Sequence, residues 1–114
     1  MRPYVRVILM PDLIHLSFSP EMEKAILEGR KIMTSRRESR PEWRPGPGVF
    51  RVGDRNYQIV ACWWGYYKLI RDRLYAAEGF SSPEELDQYF RGLGYPTHDR
   101  AHYYMIFFRA WGDQ

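Results

Sequence analysis

A single cysteine, Cys62, stands in the 114 residues. That scarcity excludes an intrachain disulfide and any zinc cluster built from several cysteines. Cys62 sits in a strand-like run with no signal for a lowered pKa, so an inert thiol is expected there. Lysine is nearly as scarce: of 17 basic residues only Lys24, Lys31 and Lys68 are lysines, leaving 14 arginines. Arginine presents a planar fork that grips phosphate bidentately, which lysine does not. No apolar run approaches the ~20 residues needed to span a bilayer. The opening MRPYVRVILMPD is too short for that and carries no signal-type cleavage site. A cytoplasmic protein with no membrane partner is therefore expected. His98 and His102 have a spacing that binds metal on a helix, but Pro96 and the following aromatic run argue for loop and strand, so neither a metal site nor a cofactor is expected.

What the chain does contain bounds the answer from the other side. Apolar residues make up 45% and charged residues 27%, ordinary values for a globular protein, and the length suits one domain over residues 1–114. Aromatics, at 17%, are over-represented. Tyr57, Trp63, Trp64, Tyr66 and Tyr67 are expected to be mostly barrel core, with base stacking as the alternative and one or two at the strand end able to line a pocket. The net charge of +3 does not by itself demand a nucleic-acid partner. Its distribution is more informative: from Arg30 to Arg44 six cations face two carboxylates, an excess of four that is larger than the net charge of the whole chain. Arg30, Arg36, Arg37, Arg40 and Arg44, with Trp43 among them, suit a phosphate-gripping rim with one stacking surface.

Periodicity and punctuation give the element order. Val5 to Met10 is a short β-branched run stopped by Pro11-Asp12, expected as a strand within an N-terminal extension over residues 1–12. Leu13 to Phe18 alternates and reads as a second strand. Ser19-Pro20 caps a helix expected to run to Glu28, with Met22, Ala25 and Ile26 inward, and Gly29 stops it. A strand through Arg37 and an irregular ESRPEWRPGPG loop follow. Val49–Val52 and Tyr57–Trp64 form a hairpin around Gly53-Asp54-Arg55-Asn56. Helices are expected over Lys68–Ala77 and after the Ser82-Pro83-Glu84-Glu85 capping box, and a final strand over His102–Trp111. Short strands among a few helices predict an α+β fold, a small mixed barrel with about three short helices.

Three features carry a family resemblance: Gly29-Arg30-Lys31-Ile32-Met33-Thr34-Ser35-Arg36, the hairpin after a glycine-containing loop, and the segment from Glu78-Gly79-Phe80 to Ser82-Pro83-Glu84-Glu85-Leu86. Together they resemble the ASCH family, a branch of the PUA-like fold, over roughly residues 14–109. Ile32 departs from the pattern, since many members have threonine there. The resemblance implies a small β-barrel with a cleft lined by Lys31 and Thr34, acting on RNA or a modified nucleoside. Some members resembling this chain are small amidohydrolases that remove the acetyl group of N4-acetylcytidine; others are described as ribonucleases or RNA-binding modules.

The same residues can be read from chemistry alone. In a strand, Ile32, Thr34 and Arg36 share one face and Met33 and Ser35 the other. Lys31 must therefore reach Thr34 from the turn before the strand. If they meet, a threonine hydroxyl becomes a nucleophile once a lysine accepts its proton. Glu78 matches the family's acidic position and is expected to orient the lysine or protonate the leaving amine. The catalytic set expected is thus Lys31, Thr34 and Glu78. A non-catalytic RNA-binding module or a small ribonuclease remains the alternative.

Overall fold

The computed structural model describes residues 12–112. The expected Val5–Met10 strand lies outside them. Helix α1 spans Pro20–Leu27, β1 Met33–Arg36, β2 Val49–Val52, β3 Arg55–Tyr66, α2 Tyr67–Arg73, α3 Pro83–Gly92 and β4 His102–Ala110. The strands form one antiparallel sheet in the order β1-β4-β3-β2, curled into a half-barrel. This is the α+β arrangement of three short helices and a barrel-like sheet that the sequence predicts.

The sheet is organised by β4, the strand buried on both faces. Tyr103 and Met105 point into a cluster with Met22, Tyr67, Ile70, Phe80, Leu86 and Phe90 from the helices. Ile106 and Phe108 point the other way, onto Leu16, Ile26, Trp43, Phe50 and Ile59. Period-two alternation thus divides one aromatic run between two cores. A β-bulge between Ile59 and Ala61 shifts the β3 register and bends the sheet.

Helix boundaries follow the capping residues. Ser19 Oγ accepts from the Met22 amide and Ser82 Oγ from the Glu85 amide, each ahead of a proline in the first turn. Gly29 has φ 79°, and the amides of Arg30 and Lys31 both return to the Ala25 carbonyl, closing the end of α1.

Four expectations change. Leu13–Phe18 is not a strand: it makes a single bridge, Leu13 to Val49, with the Ile14 amide donating to the Val49 carbonyl at 2.8 Å. The hairpin turn is tighter than expected, because Arg55 and Asn56 already pair with Val52 and Arg51, leaving Gly53-Asp54 at the tip. Helix α2 stops at Arg73, and residues 74–80 wind through turns that present the Ala77 carbonyl to the amides of Ile32 and Met33. Finally, Trp63, Trp64 and Tyr66 are exposed, whereas Tyr57 and Tyr67 are core as expected. The cause is strand length: β2 pairs only with Arg55–Gln58, so among the described residues the outer half of β3 has β4 on one side and no strand on the other.

The buried phenols carry a pH dependence. Burial pushes Tyr103 and Tyr104 up to about 12, and for Tyr104 the contact with Cys62 adds to the shift. The unfolded chain releases these protons near pH 10, the ordinary tyrosine value. Because the native state holds them more tightly, stability is independent of these groups below about pH 10 and falls as pH rises from there toward 12. Urea midpoints across that window measure the loss.

Candidate functional site

The end of α1 delivers Lys31 to the site. After Gly29 the chain turns, and the Ile32 amide donates 2.8 Å to the Ala77 carbonyl, tying the start of β1 to the turns after α2. This tether places Lys31 beside Glu78. Lys31 Nζ donates to Glu78 Oε1 at 2.8 Å and to the Glu78 carbonyl at 3.0 Å. Both side chains are almost wholly shielded, at 3% and 2% exposure. A buried lysine–carboxylate pair is costly to desolvate and persists only with close geometry and further hydrogen bonds. Here the backbone carbonyl supplies one of them.

The pair opens onto a cleft of about 230 Å³ bounded by β1, α1, α3 and the segment before α1. Thr34, Ser35 and Arg36 line it in succession, together with Phe18, Met22, Phe80, Tyr89 and Tyr95. Strand alternation alone would put Ser35 opposite Thr34 and Arg36, in keeping with its register against Met105 rather than Ile106 and Tyr104. All three border the cleft because β1 is the edge strand of the sheet among the described residues.

Three residues that line this cleft each hold a buried polar atom with no hydrogen-bond partner among the described residues: Ser35 Oγ, Arg36 Nε and Glu78 Oε2. Each such atom costs about 1–3 kcal/mol when unsatisfied. Their residues border one concavity, and unpaired buried groups of this kind call for a partner. They combine a cationic donor, a carboxylate acceptor and a hydroxyl able to do either. Arg36 is further held by the Ser17 carbonyl at 2.8 Å and lies 5.1 Å above the Phe18 ring. Burial pushes its pKa down, partly offset by Tyr95, Glu78 and Tyr89.

Lys31, Thr34 and Glu78 all line one cleft, a meeting that the sequence left open, and Arg36 joins them there instead of standing on an outer rim. Lys31 Nζ and Thr34 share the cleft without a hydrogen bond between them among the described residues; both bonds of Nζ go to Glu78. The remaining rim candidates disperse. Arg30 bonds Glu28 and the Gly79 carbonyl on the outside of the site. Arg37 donates to the His102 carbonyl and lies over Tyr103. Arg40 lies over Trp43, and Arg44 is exposed. Trp43 itself is 7% exposed, with Nε1 donating to the His15 carbonyl, so its ring belongs to the core and is not a free stacking surface.

Ser35, Phe18, Tyr89 and Tyr95 line the cleft without having been singled out in the sequence. For Ser35 a signal existed: a hydroxyl in the middle of a buried strand contributes little to packing. The others are indistinguishable from core aromatics until α3 and the pre-α1 segment are placed. Burial raises the Cys62 thiol pKa, consistent with an inert role. Among the described residues, no cluster of three or more histidines, cysteines or carboxylates is placed to hold a metal, and no helix is long and apolar enough to cross a membrane.

Gly79 is the hinge of this geometry. Its φ of 102° is a conformation that side chains disfavour, and a Cβ there would lie 3.2 Å from Lys31 Cβ. Gly79→Ala is expected to cost about 1–3 kcal/mol in backbone strain and to displace Lys31. A lowered urea midpoint together with weakened ligand binding is the expected result.

No protein-family model matches the chain, and no curated protein does. A crystal structure of an ASCH domain from Lactobacillus crispatus JV V101 aligns over 86% of this chain and 77% of its own, with TM-score 0.59 and 14% identity. The chain has the fold of that ASCH domain.

Proposed function

We propose that the cleft binds a cytosine-type nucleoside, free or unstacked from RNA, and hydrolyses an acyl group from its exocyclic N4 amine. The observation that supports it best is the shielded Lys31–Glu78 pair, with Glu78 Oε2 unpartnered, in one cleft with Thr34. A volume of about 230 Å³ lies below the ~300–1,000 Å³ of drug-sized ligand pockets. It suits one small ring system rather than a length of oligonucleotide. A base within RNA must therefore leave its stack to enter.

Thr34 Oγ1 attacks the acyl carbon, the new C–O bond forms, and the C–N4 bond breaks. The proton traffic runs through the ion pair. Lys31 passes a proton to Glu78, which leaves Nζ free to accept the Thr34 proton, while Glu78 delivers a proton to the departing N4 amine. Water then cleaves the acyl-threonine ester, releasing the carboxylic acid and restoring Thr34. Arg36 and Ser35 bond the ring and carbonyl oxygens, and Arg36 stabilises the oxyanion of the tetrahedral intermediate. Substrate must draw Thr34 and Lys31 together, since catalytic hydrogen bonds often tighten only in the complex.

The test is to offer the purified protein N4-acetylcytidine and, separately, an unmodified single-stranded RNA. Release of cytidine and acetate without scission of the RNA supports the amidohydrolase. Scission of the RNA assigns the cleft to phosphodiester chemistry, and binding without either product leaves a recognition module.

A further inference from the structure

The cleft leaves unexplained a second concavity of about 710 Å³ at the far end of β3, lined by Trp63, Trp64, Tyr66, Lys68, Arg73 and His102. It shares no lining residue with the cleft. Trp63 is 66% exposed, and Trp64 and Tyr66 are each about half exposed. Burying large rings is a dominant source of folding energy, so three left open around one stretch of β3, Trp63 on the sheet face of Met105 and Trp64 and Tyr66 on that of Tyr104, all bordering one concavity, form a patch of the kind that marks an interaction surface.

Two of the rings are already held in place. Trp64 lies 5.1 Å from Tyr104, and Tyr66 lies 4.7 Å from His102. Trp63 offers its ring without an aromatic neighbour among the described residues. The charges around the rings are mostly positive. Lys68 and Arg73 face the groove, and its one carboxylate, Asp72, is already paired with Arg71 at 2.8 Å. A second copy docked here would set one cationic groove against another. An extended polyanion carrying flat rings complements both the charge and the faces.

We propose that this groove is a binding site for single-stranded RNA, whose bases stack on Trp63, Trp64 and Tyr66 while its phosphates meet Lys68 and Arg73. A route from groove to cleft is built into consecutive residues. Arg36 lines the cleft, and Arg37 reaches across to the carbonyl of His102, a groove residue. A strand lying in the groove can thus extend past Arg37 toward the cleft. The choice of RNA as occupant rests on the reading of the cleft as a nucleoside site; the stacking and charge argument does not.

The test is anisotropy titration of a short labelled single-stranded RNA lacking acylated bases, against wild type, Trp63→Ala, Trp63→Phe and Lys68→Ala/Arg73→Ala. Stacking is worth about 1–3 kcal/mol per base, or roughly 5- to 150-fold in affinity. Trp63→Ala should weaken binding by that factor and Trp63→Phe should largely restore it. Each phosphate contact contributes about 0.7 to the logarithmic salt slope for single strands, so the double variant should lower the slope by about 1.4. Hydrolysis of free N4-acetylcytidine by Trp63→Ala should match wild type. Ring-dependent RNA binding by a protein that releases no cytidine would sustain the groove and remove the hydrolase reading. Affinity unchanged in Trp63→Ala and in the double variant overturns the groove. So does sedimentation showing a dimer that Trp63→Ala dissociates without any effect on RNA.

Discussion

Lys31→Met should lose about 3–5 kcal/mol of stability, the cost of breaking a buried ion pair and stranding one charge. The stranded group is Glu78, 2% exposed, whose Oε2 has no partner among the described residues even in the wild type. The same substitution removes the base, so cytidine release should fall to the solvent rate. The two losses have different origins, and a second variant separates them. Replacing the pair together, as Lys31→Met/Glu78→Leu, puts apolar groups of similar length into a site already walled by Met22, Phe80 and Phe90. Such exchanges are often neutral or stabilising. The double variant should therefore recover most of the stability lost in Lys31→Met and none of the activity, as read from urea denaturation and product chromatography. Activity recovering along with stability would show that Lys31 serves the fold alone.

Thr34→Ala should leave the fold nearly intact and reduce hydrolysis by at least the ~10²–10⁴-fold associated with a positioned proton-transfer group. The side chain is small, and the pairing of Thr34 with Ile106 of β4 is made by the backbone, so it should persist with alanine. Thr34→Ser keeps the hydroxyl and should retain measurable turnover, whereas Thr34→Val, of nearly the same shape, should not. If the alanine and serine variants hydrolyse equally well, the nucleophile is another group or a water. Binding of the product cytidine to Thr34→Ala should change little, because the unpartnered donors and acceptor of the cleft remain.

Where local chemistry decides the structure, the sequence was legible. Serine followed by proline marked the starts of α1 and α3, Gly29 the end of α1, and strand-like runs around a turn the hairpin, whereas the one segment read by alternation, Leu13–Phe18, makes only a bridge. Lys31 and Thr34 could be named because the stretch from Gly29 to Arg36 resembles a known family, and Glu78 because the segment from Glu78 to Leu86 does. Their meeting could not be derived, since it depends on the Ile32–Ala77 hydrogen bond between segments distant in sequence. Arg36 looked like a surface cation, and only the packing of Ser17 and Phe18 around it makes it a cleft residue. Trp43 and Trp63 exchanged their expected places for a related reason. A loop tryptophan found a carbonyl in the core to satisfy its N–H, while a strand tryptophan lay beyond the reach of its neighbour β2. Side-chain type fixes what a ring prefers, but strand length and loop path decide whether it is covered.

The measurement that tests the central claim most directly is the initial rate of cytidine release from N4-acetylcytidine by wild type, Thr34→Ser and Thr34→Ala, with folding of each verified by its urea midpoint. The account predicts release by wild type, slower release by the serine variant and none above background from alanine. Folded wild-type protein that yields no cytidine, or an alanine variant as fast as wild type, would contradict it.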